Sequence, residues 1–159
     1  ERIAFTQNAE GAGLAPFDCW LLLRSLPTLS LRVERQCATA ARLAQFLAAH
    51  ALTQRVLYPG LPEHPAHAIH ASQASGFGAV LSFTTGDAAL SRRIVEGTRL
   101  FKIAVSFGSV GSVISLPARM SHASVPDALR SRLAPPEDLV RISAGLEDAE
   151  DLAADLAAS

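Results

Sequence analysis

The chain has 159 residues, 49% of them hydrophobic, with 14 basic and 15 acidic side chains and a formal net charge of −1. That length can bury one core, and the balanced charge excludes a basic field able to grip a phosphate backbone, so no nucleic-acid partner is expected. No run approaches the roughly 18 uninterrupted apolar residues of a membrane span, so no membrane partner is expected either.

Residues 1 to 15 are polar and rich in glycine, and they end at Pro16, which suits the first turn of a helix because its missing N–H is not needed there. The absence of an initiating Met, of a signal-peptide core and of a transit-peptide character gives the expectation that the chain starts mid-gene or after processing. A helix over about 16 to 26 carries Phe17, Trp20, Leu21, Leu23 and Leu26 around most of its circumference, a pattern that predicts burial within a larger body. Pro27 interrupts it. Thr28 can cap a second helix, over about 28 to 50, in which Leu29, Val33, Cys37, Ala40, Ala44, Leu47 and Ala48 recur at helical steps.

A strand at 55–58, a turn at Pro59-Gly60-Leu61-Pro62, a short helix near 65 to 74 and a strand at 79–84 come next. Asp87 caps a helix to about 98. Strands near 100 to 106 and 111 to 116, a short helix opened by Pro126, a strand at Leu139–Ser143 and an acidic-start helix over 147–158 complete the chain. The expected fold class is α+β, with about four mostly antiparallel strands, helices packed on the sheet and a long linking helix before it.

Cys19 and Cys37 stand in helix-like surroundings without metal or disulfide spacing and read as free thiols. His64, His67 and His70 are three apart, and on a helix the first and third diverge by about 120°, which disfavours one shared ion. No metal site is expected. Gly76-Phe77-Gly78 precedes a strand, the reverse of a phosphate loop, and reads as a turn. The Gly/Ser-rich segment 106–112 follows a strand and reads as a loop. Arg141 is different, because inside a strand its charge must face water or meet an anion, and a guanidinium on a rigid strand suits bidentate recognition of a carboxylate. Lys102 is the single lysine, so any lysine-dependent covalent chemistry within the chain uses it or is absent.

Several long motifs then carry a resemblance: Asn8 to Trp20, Tyr58-Pro59-Gly60-Leu61-Pro62, Phe101 to Ser124, and Asp138 to Asp148. In that order they resemble the cystathionine lyase and synthase family, the Cys/Met-metabolism enzymes that depend on pyridoxal phosphate. Ala104 to Val110, Met120-Ser121-His122-Ala123-Ser124 and Val140 to Gly145 are most similar to its plant-type β-lyase members. Pro27, Gly111 and Arg119 depart from the pattern expected of the family.

The resemblance implies a fold-type I enzyme whose pyridoxal 5'-phosphate is held mainly by an upstream domain, in Schiff-base linkage to a lysine that Lys102 does not match. It implies that residues 1–29 end the cofactor domain and that residues 30–159 form the C-terminal domain that binds the substrate carboxylate. Arg141 would grip the α-carboxylate, Ser106 would position Arg141 or the incoming lysine, and Val105 and Phe107 would shape the pocket for the distal part of the substrate. No catalytic residue lies in this chain on that reading, so the isolated chain is expected to be inactive. The implied reaction is carbon–sulfur cleavage of L-cystathionine to homocysteine, pyruvate and ammonia in methionine biosynthesis. A homotetramer is implied, in the chloroplast if plant-type and otherwise in the cytoplasm. A γ-lyase or γ-synthase of the same family and a non-catalytic oligomerisation module stay open as alternatives.

Overall fold

The computed structural model describes residues 1–159 as two compact units, Glu1–Leu31 and Arg32–Ser159. In the first unit, α1 spans Arg2–Ala9, within the polar stretch that ends at Pro16. Glycines begin only at Gly11, so nothing upstream breaks the helix. Gly11, at φ 68°, then reverses the chain while its N–H bonds Asn8 O (3.3 Å) and the Ala12 N–H bonds Gln7 O (2.9 Å). This is a Schellman ending, which needs a residue tolerant of positive φ.

Helix α2 covers Pro16–Ser25 with its proline in the first turn. Phe17 and Arg24 flank the Trp20 ring at 5.8 and 5.7 Å, and no α2 side chain is buried within the unit. A 3₁₀ turn at Leu26–Thr28 contains Pro27. The Thr28 hydroxyl bonds the Ser25 carbonyl, and Leu29, at φ −61° and ψ −47°, is already helical. The chain therefore passes into α3, Leu29–Ala49, through this tight turn.

The second unit contains one five-stranded sheet. Its strands are β1 (Arg55–Leu57), β2 (Val80–Thr84), β3 (Lys102–Ile103), β4 (Val113–Ser115) and β5 (Leu139–Ser143), in spatial order β1-β2-β5-β4-β3. All pairings are antiparallel except β3 with β4, which is parallel. The fold is thus the mixed, mostly antiparallel sheet with a long preceding helix that the sequence suggests, with five strands in place of about four. The expected strand at 100–106 contracts to two residues because the chain turns away after Ile103 into the Gly/Ser-rich segment.

Helices α4 (His67–Gln73), α5 (Ala88–Gly97), α6 (Asp127–Leu133) and α7 (Ala149–Ala158) complete the unit. Two have side-chain caps, of which the first was expected from sequence: Asp87 accepts from the Ala89 N–H at 2.7 Å and Asp148 from the Glu150 N–H at 2.9 Å. Leu81, Phe83, Ile114, Val140 and Ile142 line one sheet face and share a core with Ala40, Leu43, Ala44 and Leu47 of α3 and Leu152, Ala153 and Leu156 of α7.

The buried stripe of α3 differs from the one its apolar residues suggest. It runs through Gln36, Thr39, Ala40, Leu43, Ala44 and Leu47, whereas Leu29, Val33 and Ala48 are exposed and Cys37 is half-buried. The sheet selects that face, and Gln36 is admitted to it because its side-chain amide donates to the Ser109 carbonyl of a neighbouring loop, whereas the buried Thr39 hydroxyl has no partner.

Candidate active site

Strand side chains alternate between the two faces of a sheet. In β5, Val140 and Ile142 join the apolar core, so Leu139, Arg141 and Ser143 point to the opposite face. The register sets Arg141 between Ser82 of β2 and Ser115 of β4, on the central strand of the sheet. A charge has been placed where the backbone is most constrained.

The environment of Arg141 is partly desolvated. Burial pulls its guanidinium below the usual arginine range, although a group of that intrinsic basicity stays charged at neutral pH. Its Nη2 is buried and has no hydrogen-bond partner, and the buried Ser115 Oγ is likewise unpaired. The guanidinium carbon lies 4.1 Å from the centroid of the Phe107 ring, which is within reach of a cation–π contact. Phe107 and Arg141 are therefore brought together. Ser106 and Val105 stand exposed on the same loop, and the Ser106 hydroxyl makes no hydrogen bond to Arg141.

That loop, residues 104–112, joins the parallel pair β3 and β4. Three elements tie it down. Gln36 Nε2 of α3 donates to Ser109 O at 2.8 Å, and Ser143 Oγ of β5 accepts from the Gly108 N–H at 3.1 Å. Beyond β5, the Glu147 carboxylate accepts from both the N–H and the hydroxyl of Ser112, each at 2.8 Å. Ser112 Oγ also accepts from the Gly145 N–H at 2.8 Å, and the Leu146 N–H donates to Val110 O at 2.9 Å.

A β-carbon at position 145 would collide with the Glu147 carboxylate, the Val110 carbonyl and the Ser112 nitrogen, so glycine is required there by close approach. Sequence reasoning did not single out Gln36, Ser112, Ser143 or Glu147. None of the four carries a local signal, because each is placed by a partner distant in the chain.

The remaining candidates are accounted for locally. His67 Nδ1 lies 2.7 Å from Pro59 O, His70 Nε2 lies 2.9 Å from Gly76 O, and both rings stack on Phe77 at 5.1 and 5.5 Å. His64 Nδ1 accepts from the Ala66 N–H at 3.2 Å. Gly78, at φ 80°, turns the chain into β2 while its carbonyl accepts from Tyr58 Oη at 3.1 Å. Lys102 is exposed on the edge strand β3, Cys19 and Cys37 are free thiols, and no helix is long and apolar enough to cross a membrane.

The family model described as Cys/Met metabolism PLP-dependent enzyme matches residues 1–159. The chloroplastic cystathionine beta-lyases of Arabidopsis thaliana and Mimosa pudica are 54% and 56% identical to the chain over 156 and 160 residues. These alignments cover 98% of this chain but only 34% and 35% of theirs, so the chain spans about a third of the length of these curated relatives. The crystal structure of cystathionine gamma-lyase from Lactobacillus plantarum complexed with L-serine superposes with a TM-score of 0.92 at 36% identity, covering 98% of this chain and 41% of that one.

Proposed function

Because the chain belongs to the Cys/Met-metabolism enzymes that depend on pyridoxal phosphate, we propose that it is the carboxylate-binding part of a carbon–sulfur β-lyase acting on L-cystathionine. The reaction consumes cystathionine and water and yields homocysteine, pyruvate and ammonia. The observation that carries this reading is the Arg141 guanidinium, held on the central strand with a buried, unpartnered Nη2. A buried donor without a partner is costly, and a planar carboxylate is the anion that two parallel N–H groups fit best. β-Cleavage is preferred to γ-cleavage because the two chloroplastic β-lyase relatives are 54% and 56% identical, against 44% for the γ-lyases of Bacillus subtilis and Dictyostelium discoideum.

The residues present fit the amino-acid side of the cofactor's chemistry. Pyridoxal phosphate, when bound, supplies the electron sink that stabilises negative charge at the substrate Cα. Arg141 binds the α-carboxylate and thereby fixes how the amino acid is rotated against the reacting centre. Ser106 precedes Phe107 in the chain and is exposed: its hydroxyl orients the guanidinium or an incoming lysine ammonium once substrate is present. Val105 and Phe107 provide apolar walls for the distal part of the substrate.

Lys102, the single lysine, does not match the family's cofactor-binding lysine and lies exposed on the edge strand β3, so this reading takes the cofactor-bearing lysine from outside these 159 residues. The 159-residue chain alone is inactive on this reading. Residues 1–29 belong to the cofactor domain and residues 30–159 to the carboxylate-binding domain, a division that lies close to the change of compact unit at Leu31. The whole protein is proposed to act as a homotetramer in methionine biosynthesis, in the chloroplast if its source is a plant and otherwise in the cytoplasm.

The test is steady-state kinetics on the full-length protein. Arg141→Ala should lower kcat/KM for L-cystathionine by roughly thirtyfold or more, since a charged bidentate contact is worth about 2–5 kcal/mol. Arg141→Lys should recover part of the loss as a point charge without the fork. A parent-like kcat/KM for Arg141→Ala would refute the assignment.

A further inference from the structure

Parallel strands normally need a connection of about a dozen residues or more, often with a helix, yet β3 and β4 are joined by residues 104–112 alone, with no helix among them. A return this short and this rich in glycine and serine holds one shape only if it is tied. Of its three side-chain ties, the one at Glu147 is the most demanding. Its carboxylate takes both donors of Ser112 at 2.8 Å, and Ser112 is fully buried. Ser112 Oγ is used twice, donating to Glu147 and accepting from the Gly145 N–H. Charge-assisted bonds of this kind are stronger than neutral ones, and a fully satisfied network in a partly desolvated place is rigid.

The other end of the same return carries Phe107, whose ring covers the Arg141 guanidinium at 4.1 Å. Between the ends, Gln36 holds Ser109 and Ser143 holds Gly108, so no slack separates Ser112 from Phe107.

We propose that Glu147 is a positioning residue for the reaction: through Ser112 it fixes the 104–112 return, and so keeps Phe107 over Arg141 and the guanidinium aimed at the substrate carboxylate. This rests on the reading of Arg141 as the carboxylate's partner. Glu147 does not touch the substrate. Glu147→Gln keeps one oxygen for the Ser112 N–H but loses the acceptor for the Ser112 hydroxyl, so it is the conservative variant. Ser112→Ala removes the hydroxyl shared by Glu147 and Gly145 without adding volume.

The experiment uses the full-length protein with its cofactor and two probes: L-alanine, which has the α-carboxylate but no leaving group at Cβ, and L-alanine methyl ester, which lacks the charge. Calorimetry gives the affinity ratio of acid to ester, a measure of carboxylate recognition, and hydrogen exchange follows the amides of 106–112. Glu147→Ala and Ser112→Ala should each cut the ratio about three- to thirtyfold, the range of couplings carried through packed networks. Glu147→Gln should cut it less, and exchange in the loop should quicken in the same order.

Arg141→Ala is the control that separates the two ideas. If it leaves the ratio at the parent value, the reading of Arg141 fails. If Arg141→Ala collapses the ratio while Glu147→Ala and Ser112→Ala keep it, with loop exchange accelerated, Glu147 is a structural tie and the positioning role is wrong. Should Glu147→Ala not fold, Ser112→Ala and Glu147→Gln are read against the same criteria.

Discussion

At Arg141 two demands conflict, because the fold would be better served by an apolar residue on a central strand and the proposed chemistry by a charge. An unpaired buried donor costs on the order of 1–3 kcal/mol. Arg141→Met in the full-length protein should therefore leave Tm unchanged or raised while abolishing carboxylate recognition, and a fall of several degrees would mean that Arg141 also holds the sheet together. Gly145 sits under the opposite constraint. Adding one methyl to it, Gly145→Ala, forces aside the Glu147 carboxylate, the Val110 carbonyl and the Ser112 backbone. Denaturant titration should show a loss of about 1–3 kcal/mol, the usual cost of overpacking.

Tyr58, buried with its hydroxyl on Gly78 O, is pushed up to about 12, first by burial and then by neighbouring Cys37. The unfolded tyrosine ionises near pH 10, so the stability it confers is complete below pH 10 and lost as pH rises towards 12. The thermal midpoint of the chain should fall across that window, and Tyr58→Phe should flatten the fall. An identical fall in the variant would assign the alkaline transition to other groups.

Among the elements, helices and strands bounded by Pro, Gly or Asp could be read from sequence, because the boundary chemistry is local. Asp87 capping α5 and Pro16 opening α2 are of this kind. The misreadings have a common physical source. Which face of α3 is buried depends on the sheet it meets, so Leu43 and Gln36 were invisible as inward residues while Val33 looked inward. Leu43→Ala should cost about 2–5 kcal/mol in this chain, and Val33→Ala, at an exposed position, should stay within about 0.5 kcal/mol. Equal losses at the two positions would contradict the observed stripe. The site was legible to a similar depth: a charge inside a strand announces itself, whereas a carboxylate such as Glu147, placed in a turn by a partner 35 residues away, has no local signature.

For the whole molecule, the 159 residues hold a sheet, a tied loop and a guanidinium that presents an unpartnered donor, and only one lysine, placed on an exposed edge. On the proposed reading, the parts that recognise an amino acid are here, and the parts that would do covalent chemistry on it are not among these residues. The most direct measurement supplies L-cystathionine to the full-length protein loaded with pyridoxal phosphate, and identifies the keto acid released, with the 159-residue chain as control. Pyruvate from the long form and no keto acid from the short one is the predicted result. 2-Oxobutyrate from the long form would contradict β-cleavage, and pyruvate from the short chain would contradict the assignment of the reacting lysine to a segment outside it.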